Sequence, residues 1–179
     1  MTLPDNSSPE FSRRVPIDHI GPGGHKLGIS ADAAECAALA RRFGWTAIDG
    51  LTATANLLAR ADGVDALGTL NATVERACVA SGVPVRETVE EAFAIHFVPP
   101  RDQPVDGGEI EIDEDELDLV EFDGTAVDIG EAVAQSLALG VAPFPRSPAA
   151  EAVLRKAGVI DESEAISGPF AGLKNLLKN

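Results

Sequence analysis

Tyrosine is absent from this 179-residue chain, and tryptophan occurs once, beside seven phenylalanines. With aromatics at 4% and apolar residues at 45%, a core has to be assembled from Ala, Val, Leu and Ile. No apolar run approaches the ~18–20 residues that a bilayer-spanning helix requires. The first ten residues are polar, acidic and proline-containing, so neither a signal peptide nor an amphipathic transit sequence is expected there. Cysteine is scarce: Cys36 and Cys78 are far apart, and both are expected to remain thiols in a reducing cytoplasm. The three histidines, His19, His25 and His96, fall in different predicted elements, and neither a Cys-x-x-Cys nor a His-Glu-x-x-His spacing is present. No metal or other cofactor is expected. A glycine-rich phosphate loop followed by lysine is missing, and Ser81-Gly82 lacks the frame of a nucleophile elbow. Sequence therefore offers no catalytic centre.

Positive charge is the other shortage. Fourteen Lys and Arg face twenty-nine Asp and Glu, a net charge of −15. Residues 101–131 hold thirteen acidic residues and one basic residue, a net of −12, which leaves only −3 for the rest of the chain. A chain of this charge is repelled by phosphate backbones and anionic membranes unless a local basic patch overrides the field. The run Asp113-Glu-Asp-Glu-Leu-Asp118 fails as a calcium loop, because Asp118 stands where the sixth-position glycine belongs and Gly124 where the twelfth-position carboxylate belongs. We expect an acidic loop at about 101–127. Its carboxylates Glu109, Glu111, Asp113, Glu114, Asp115, Glu116 and Asp118 are the candidates for contact with a basic protein partner.

What is there in quantity is periodicity. Residues 1–11 read as a disordered leader and 12–177 as a single domain, with an edge strand possible at 11–18 before the Gly21–Gly24 turn. Ser30 is a plausible N-cap for a helix to Phe43, in which Cys36, Leu39, Ala40 and Phe43 form one apolar face and Gly44 the C-cap. From Ala47 to Val98 the period falls to two, giving a meander of three long strands that pair antiparallel. A second helix is predicted at 128–139, with Asp128 as N-cap and Glu131 as its reciprocal partner. Shorter helices are expected at 149–157 and 169–177. The predicted fold is α+β: a strongly bent antiparallel sheet, barrel-like, packed against two main helices.

Most of the isolated basic residues lie in the N-terminal half, which is far less acidic than the middle. Arg41, Arg42, Arg76 and Arg86 are the candidates for an RNA-facing surface, against the alternative of ordinary solvated charge.

Several segments together resemble the YceD-like family, the large ribosomal RNA subunit accumulation proteins, in its alphaproteobacterial form. The resemblance rests on Ala34-Glu-Cys-Ala-Ala-Leu-Ala-Arg-Arg-Phe-Gly-Trp45, on Gly68-Thr-Leu-Asn-Ala-Thr-Val-Glu-Arg-Ala-Cys78 with the strand to Phe97-Val-Pro-Pro100, and on Val127-Asp-Ile-Gly-Glu-Ala-Val-Ala-Gln-Ser-Leu-Ala-Leu139, with Phe170-Ala-Gly-Leu173 beyond. Many relatives carry a Cys-x-Arg-Cys-Leu block; here Cys78 matches its last cysteine, while Glu75 and Ala77 replace the first cysteine and the arginine. The metal site implied by some relatives is thus not expected in this chain. The resemblance implies a cytoplasmic, non-enzymatic factor supporting synthesis, processing or stability of 23S ribosomal RNA. Its implied partners are a ribosomal protein or assembly factor, with local or indirect contact to precursor rRNA. The rival reading is an acidic adaptor or inhibitor of a basic protein, unrelated to rRNA.

Overall fold

The computed structural model describes residues 9–100 and 118–159, in two compact units. The first comprises Met1–Arg76 and Arg86–Pro143, the second Ala77–Val85 and Phe144–Asn179.

In the first unit, strand β1 (Arg14–Pro16) leads through a short 3-10 turn to β2 (His25–Ser30) and helix α1 (Ala33–Phe43). The N-cap is Asp32 rather than Ser30. Its carboxylate accepts from the N–H groups of Ala34 and Glu35, both at 2.8 Å, and the Glu35 carboxylate accepts from the Asp32 N–H at 2.8 Å. This reciprocal box satisfies donors that would otherwise be orphaned at the helix start. Gly44 closes the helix with φ +68°, a conformation that costs glycine little.

The predicted meander is present as β3 (Ala47–Ala59), β4 (Val64–Ala77) and β5 (Pro84–Val98), adjacent in that order. Imperfect alternation early in β3 has a cause: the register with β4 shifts between Ile48 and Gly50, placing Asp49 in a bulge. Ile48 and Leu51, three apart, are therefore both buried. Beyond the bulge Leu51, Ala53, Ala55 and Leu57 meet Leu70, Ala72 and Val74 of β4, Phe93, Ile95 and Phe97 of β5, and Cys36, Leu39 and Ala40 of α1 in one core. At Gly68 a Cβ would lie 2.1 Å from the Thr54 carbonyl oxygen and 2.5 Å from the Phe93 ring, so only glycine fits.

Two features correct the expected architecture. The five-stranded sheet, ordered β2-β3-β4-β5-β6, is open and mixed, neither wholly antiparallel nor closed into a barrel. Its last member, β6 (Asp118–Glu121), runs parallel to β5, pairing Ile95 with Asp118 through Val98 with Glu121. Parallel neighbours need a crossover of a dozen or more residues, and the nineteen between Val98 and Asp118 meet that need. Among the described residues there are three α-helices, not the two main ones of the expected architecture: α1, α2 (Ile129–Gly140) and α3 (Ala150–Lys156), the last within the stretch 149–157 read as a shorter helix.

Strand β7 (Ala126–Asp128) pairs antiparallel with β1 in a separate two-stranded sheet, then gives way to α2. Asp128 accepts from the Glu131 N–H at 3.2 Å as N-cap and also from the Arg13 N–H at 2.8 Å. Phe11, Val15, Val127 and Ile129 are buried beside Val133, Ala134 and Leu137 of α2, and the Arg13 guanidinium grips both oxygens of Glu35, at 2.7 and 2.8 Å.

The described part of the second unit is the connection between β4 and β5 together with residues 144–159. The Val79 N–H donates to the Pro145 carbonyl at 3.0 Å, and the Ser147 N–H donates to the Cys78 sulfur at 3.2 Å.

Candidate functional site: arginines and a groove beside helix α1

Adjacent in sequence, Arg41 and Arg42 have different environments. Arg42 reaches α2, where its two terminal nitrogens donate to the two oxygens of Glu131 at 2.8 and 2.7 Å, and it also bonds Glu10 at 3.0 Å. Those carboxylates raise the Arg42 guanidinium further above its ordinary range, and Arg42 in return holds the Glu131 carboxyl below the usual range. The reciprocal capping expected of Glu131 is therefore replaced by a bidentate ion pair, the geometry in which arginine binds carboxylate best. Arg41 is exposed and has no recorded ion pair among the described residues.

Arg76 is buried at 6% exposure. It is paired with Glu87, donates to the Ala142 carbonyl at 2.6 Å, and stands 5.8 Å from the centre of the Trp45 ring. Its Nε–H has no hydrogen-bond partner among the described residues. Arg86 is exposed and pairs with Asp49, the bulged residue of β3, at 2.6 Å.

These positions converge on one groove. Strand β2 ends at Ser30, opposite Thr52, so β3 from Ala47 to Gly50 has no strand on that side among the described residues. A groove of about 820 Å³ opens between this edge and α1. Arg41, Trp45, Asp49 and Asp32 line it; Arg76 packs over Trp45, and Arg86 holds Asp49. Three of the four sequence-predicted arginines thus belong to the surroundings of one groove, and Arg42 belongs to the junction of α1 with α2. Trp45 and Asp49 were not singled out from sequence. The tryptophan read as a residue after a C-cap, and the bulge shows only as a break in alternation.

Of the predicted acidic contact residues, Glu109, Glu111, Asp113, Glu114, Asp115 and Glu116 lie outside the described residues. Asp118 is described: it opens β6 and is exposed.

Two polar clusters had no local signal, because their members are far apart in sequence. Asp65 on β4 pairs with Arg60, and its carboxylate accepts from His96 Nδ1 of β5 at 2.6 Å. Burial alone would raise the Asp65 carboxyl, but the Arg60 and His96 hydrogen bonds outweigh it and leave the group below its ordinary range. The second cluster surrounds Cys78. Hydrogen bonding from Ser147 and Ser81 lowers that thiol to about 6, whereas burial raises Cys36. Among the described residues no group of three or more His, Cys, Asp or Glu side chains is placed to hold a metal ion. None of the described helices is long and apolar enough to cross a membrane.

Comparison with known families decides the relationship. The family model described as "Large ribosomal RNA subunit accumulation protein YceD" matches residues 66–177, more than half of the chain. The chain belongs to the YceD family. The matched span runs from within β4 and includes Arg76, Arg86, His96 and all of α2; α1 and the groove's Arg41 and Trp45 precede it. No curated protein and no solved structure matches the chain.

Proposed function

We propose that this YceD-family protein is a non-enzymatic, cytoplasmic factor that supports the synthesis, processing or stability of 23S ribosomal RNA during large-subunit biogenesis, and that it does so chiefly through a protein partner. The family match carries the first half of this reading. Charge supports the second. Arg42, Arg76 and Arg86 are already committed to carboxylates, and a −15 chain gains little by approaching naked phosphate. Direct rRNA contact, where it occurs, would run through Arg41. Contact with a basic ribosomal protein or assembly factor would run through the acidic positions from Glu109 to Asp118. The three sequence blocks keep the alphaproteobacterial form of the family within this reading.

Deleting the gene and measuring mature 23S against 16S rRNA tests it. A fall in the ratio, sharper at low temperature, is the expected result; an unchanged ratio at both temperatures overturns the rRNA role and leaves an adaptor for a basic protein.

A further inference from the structure

We propose that the cleft between the last turn of α2 and the β5–β6 edge of the sheet docks a basic segment of a protein partner, with one apolar side chain of that segment seated against Leu139 and its cations against Glu91 and Asp118. The inference rests on the protein-mediated reading above and gives it a place on the molecule.

The cleft lies where the core runs out. Glu91, Phe93 and Ile95 alternate onto the inner side of β5, where Phe93 and Ile95 are buried and Glu91 is exposed. Asp118 opens β6 level with Ile95 in the parallel pairing, which puts it on the same side. Helix α2 covers that side, but its cover thins along one flank. Ala132 is buried, Ser136 half-buried and Leu139 80% exposed, at i, i+4 and i+7. Leu139 is the most exposed large apolar side chain among the described residues. At Gly140 an added Cβ would lie 2.7 Å from the Glu91 Cγ, so the glycine lets the apolar stem of Glu91 rest on the helix end with its carboxylate outward. The space bounded by Glu91, Phe93, Asp118, Ser136, Leu139 and Gly140 is about 440 Å³, within the range of specific ligand sites.

Three negative elements meet there, and nothing lining the cleft answers them. Glu91 and Asp118 are its only charged lining residues among those described, and neither has a recorded ion pair. The third element is the end of α2. Its last turn holds no basic residue, whereas α1 ends on Arg41 and Arg42 and α3 on Arg155 and Lys156. A helix C-terminus carries about half a negative charge, and cations are stabilising beside it. Arginine or lysine from a partner therefore supplies what this helix end and its two neighbouring carboxylates lack. A polyanion meets only like charge at the same place. An apolar anchor beside Leu139 gives the contact a desolvated centre, which paired charges at an exposed rim do not provide. The cleft also lies wholly within residues 66–177, the span over which the family relationship holds.

The probe is a blocked nine-residue peptide with a central phenylalanine flanked by alternating arginine and glycine. Calorimetric titration at about 0.15 M salt, where the screening length is about 8 Å, suppresses the pull of distant carboxylates. The peptide should bind saturably, and alanine in place of its phenylalanine should weaken it at least about tenfold. Glu91→Gln with Asp118→Asn should also weaken it at least about tenfold. Asp18→Asn with Glu151→Gln removes the same charge at exposed positions elsewhere and should change affinity less than about threefold. Leu139→Ser, at an exposed position, should weaken the peptide at least about fivefold and leave the thermal midpoint unchanged. Absence of binding, equal losses in the two double variants, equal binding of the alanine peptide or full affinity in Leu139→Ser overturns the cleft, as does displacement of the peptide by a uridine dodecamer. The two readings fail separately: a normal 23S to 16S ratio in the deletion strain removes the rRNA role whatever the peptide does, and peptide failure with an abnormal ratio removes only the cleft.

Discussion

The two faces of the five-stranded sheet are made by the same strands and differ residue by residue. One face carries Leu51, Ala53, Ala55, Leu57, Leu70, Ala72, Val74, Phe93, Ile95 and Phe97, all buried in the core with α1 and α2. The other carries Thr52, Thr54, Thr69 and Asn71, all exposed, in rows set by the register: Ser30, Thr52 and Asn71 side by side, then Gly28, Thr54 and Thr69. The exception on this outer face is the buried Asp65 with its partners Arg60 and His96. The contrast teaches that one face holds the fold by volume and the other by polarity, with β-branched threonine satisfying strand geometry where no packing is required.

Three substitutions press on that contrast. Leu70→Ala on the inner face, at a fully buried position, should cost about 2–5 kcal/mol through lost transfer energy and the residual cavity, read as a fall in the urea midpoint. A cost under about 1 kcal/mol would mean that the face repacks. Asp65→Ala should cost about 1–3 kcal/mol at neutral pH, since it strands two polar partners in a half-buried place. The sign with pH follows from the lowered carboxyl: its folded value lies below the unfolded one near 3.9, so its stabilisation is complete above that pH and disappears as pH falls through the folded value. The gap between Asp65→Ala and the parent protein should therefore shrink in unfolding curves taken below about pH 4. A gap that stays constant from pH 7 downward would assign the loss to packing alone. Thr54→Ala removes the 3.2 Å contact with Thr69 on the outer face and should change stability by no more than about 0.5 kcal/mol. A larger change would show that the outer face is a structural layer after all.

Much of this was legible in the sequence for reasons that are local. Helix α1 announces itself through an apolar repeat, a C-cap glycine and arginines in the last turn, and only its cap moved, from Ser30 to Asp32, because the Glu35 partner three residues on completes the box there. The long strands follow from period-two runs, and α2 from Asp128 and its apolar stripe. What sequence could not carry is pairing across distance. Nothing near Asp118 signals that β6 lies parallel to β5, and the number of residues before it permits either direction. The site shows the same limit. Arg42 and Arg41 look equivalent in the chain, yet Glu131, eighty-nine residues away, claims one and leaves the other. Of the three family blocks, those at 68–100 and 127–139 fall within the matched span 66–177, and the one at 34–45 lies before it.

The pairing of β1 with β7 also has a consequence in time. Arg14 lies opposite Asp128 and Pro16 opposite Ala126, so β1 has to wait during synthesis for β7, more than a hundred residues later, to be made. At about 5–20 residues per second the delay is on the order of 10 s, during which β2 to β5 and α1 can already associate through their nearer contacts. Closure of Phe11 and Val15 onto Val127 and Ile129 is then a late event in synthesis, and the N-terminal strand spends that interval without its partner.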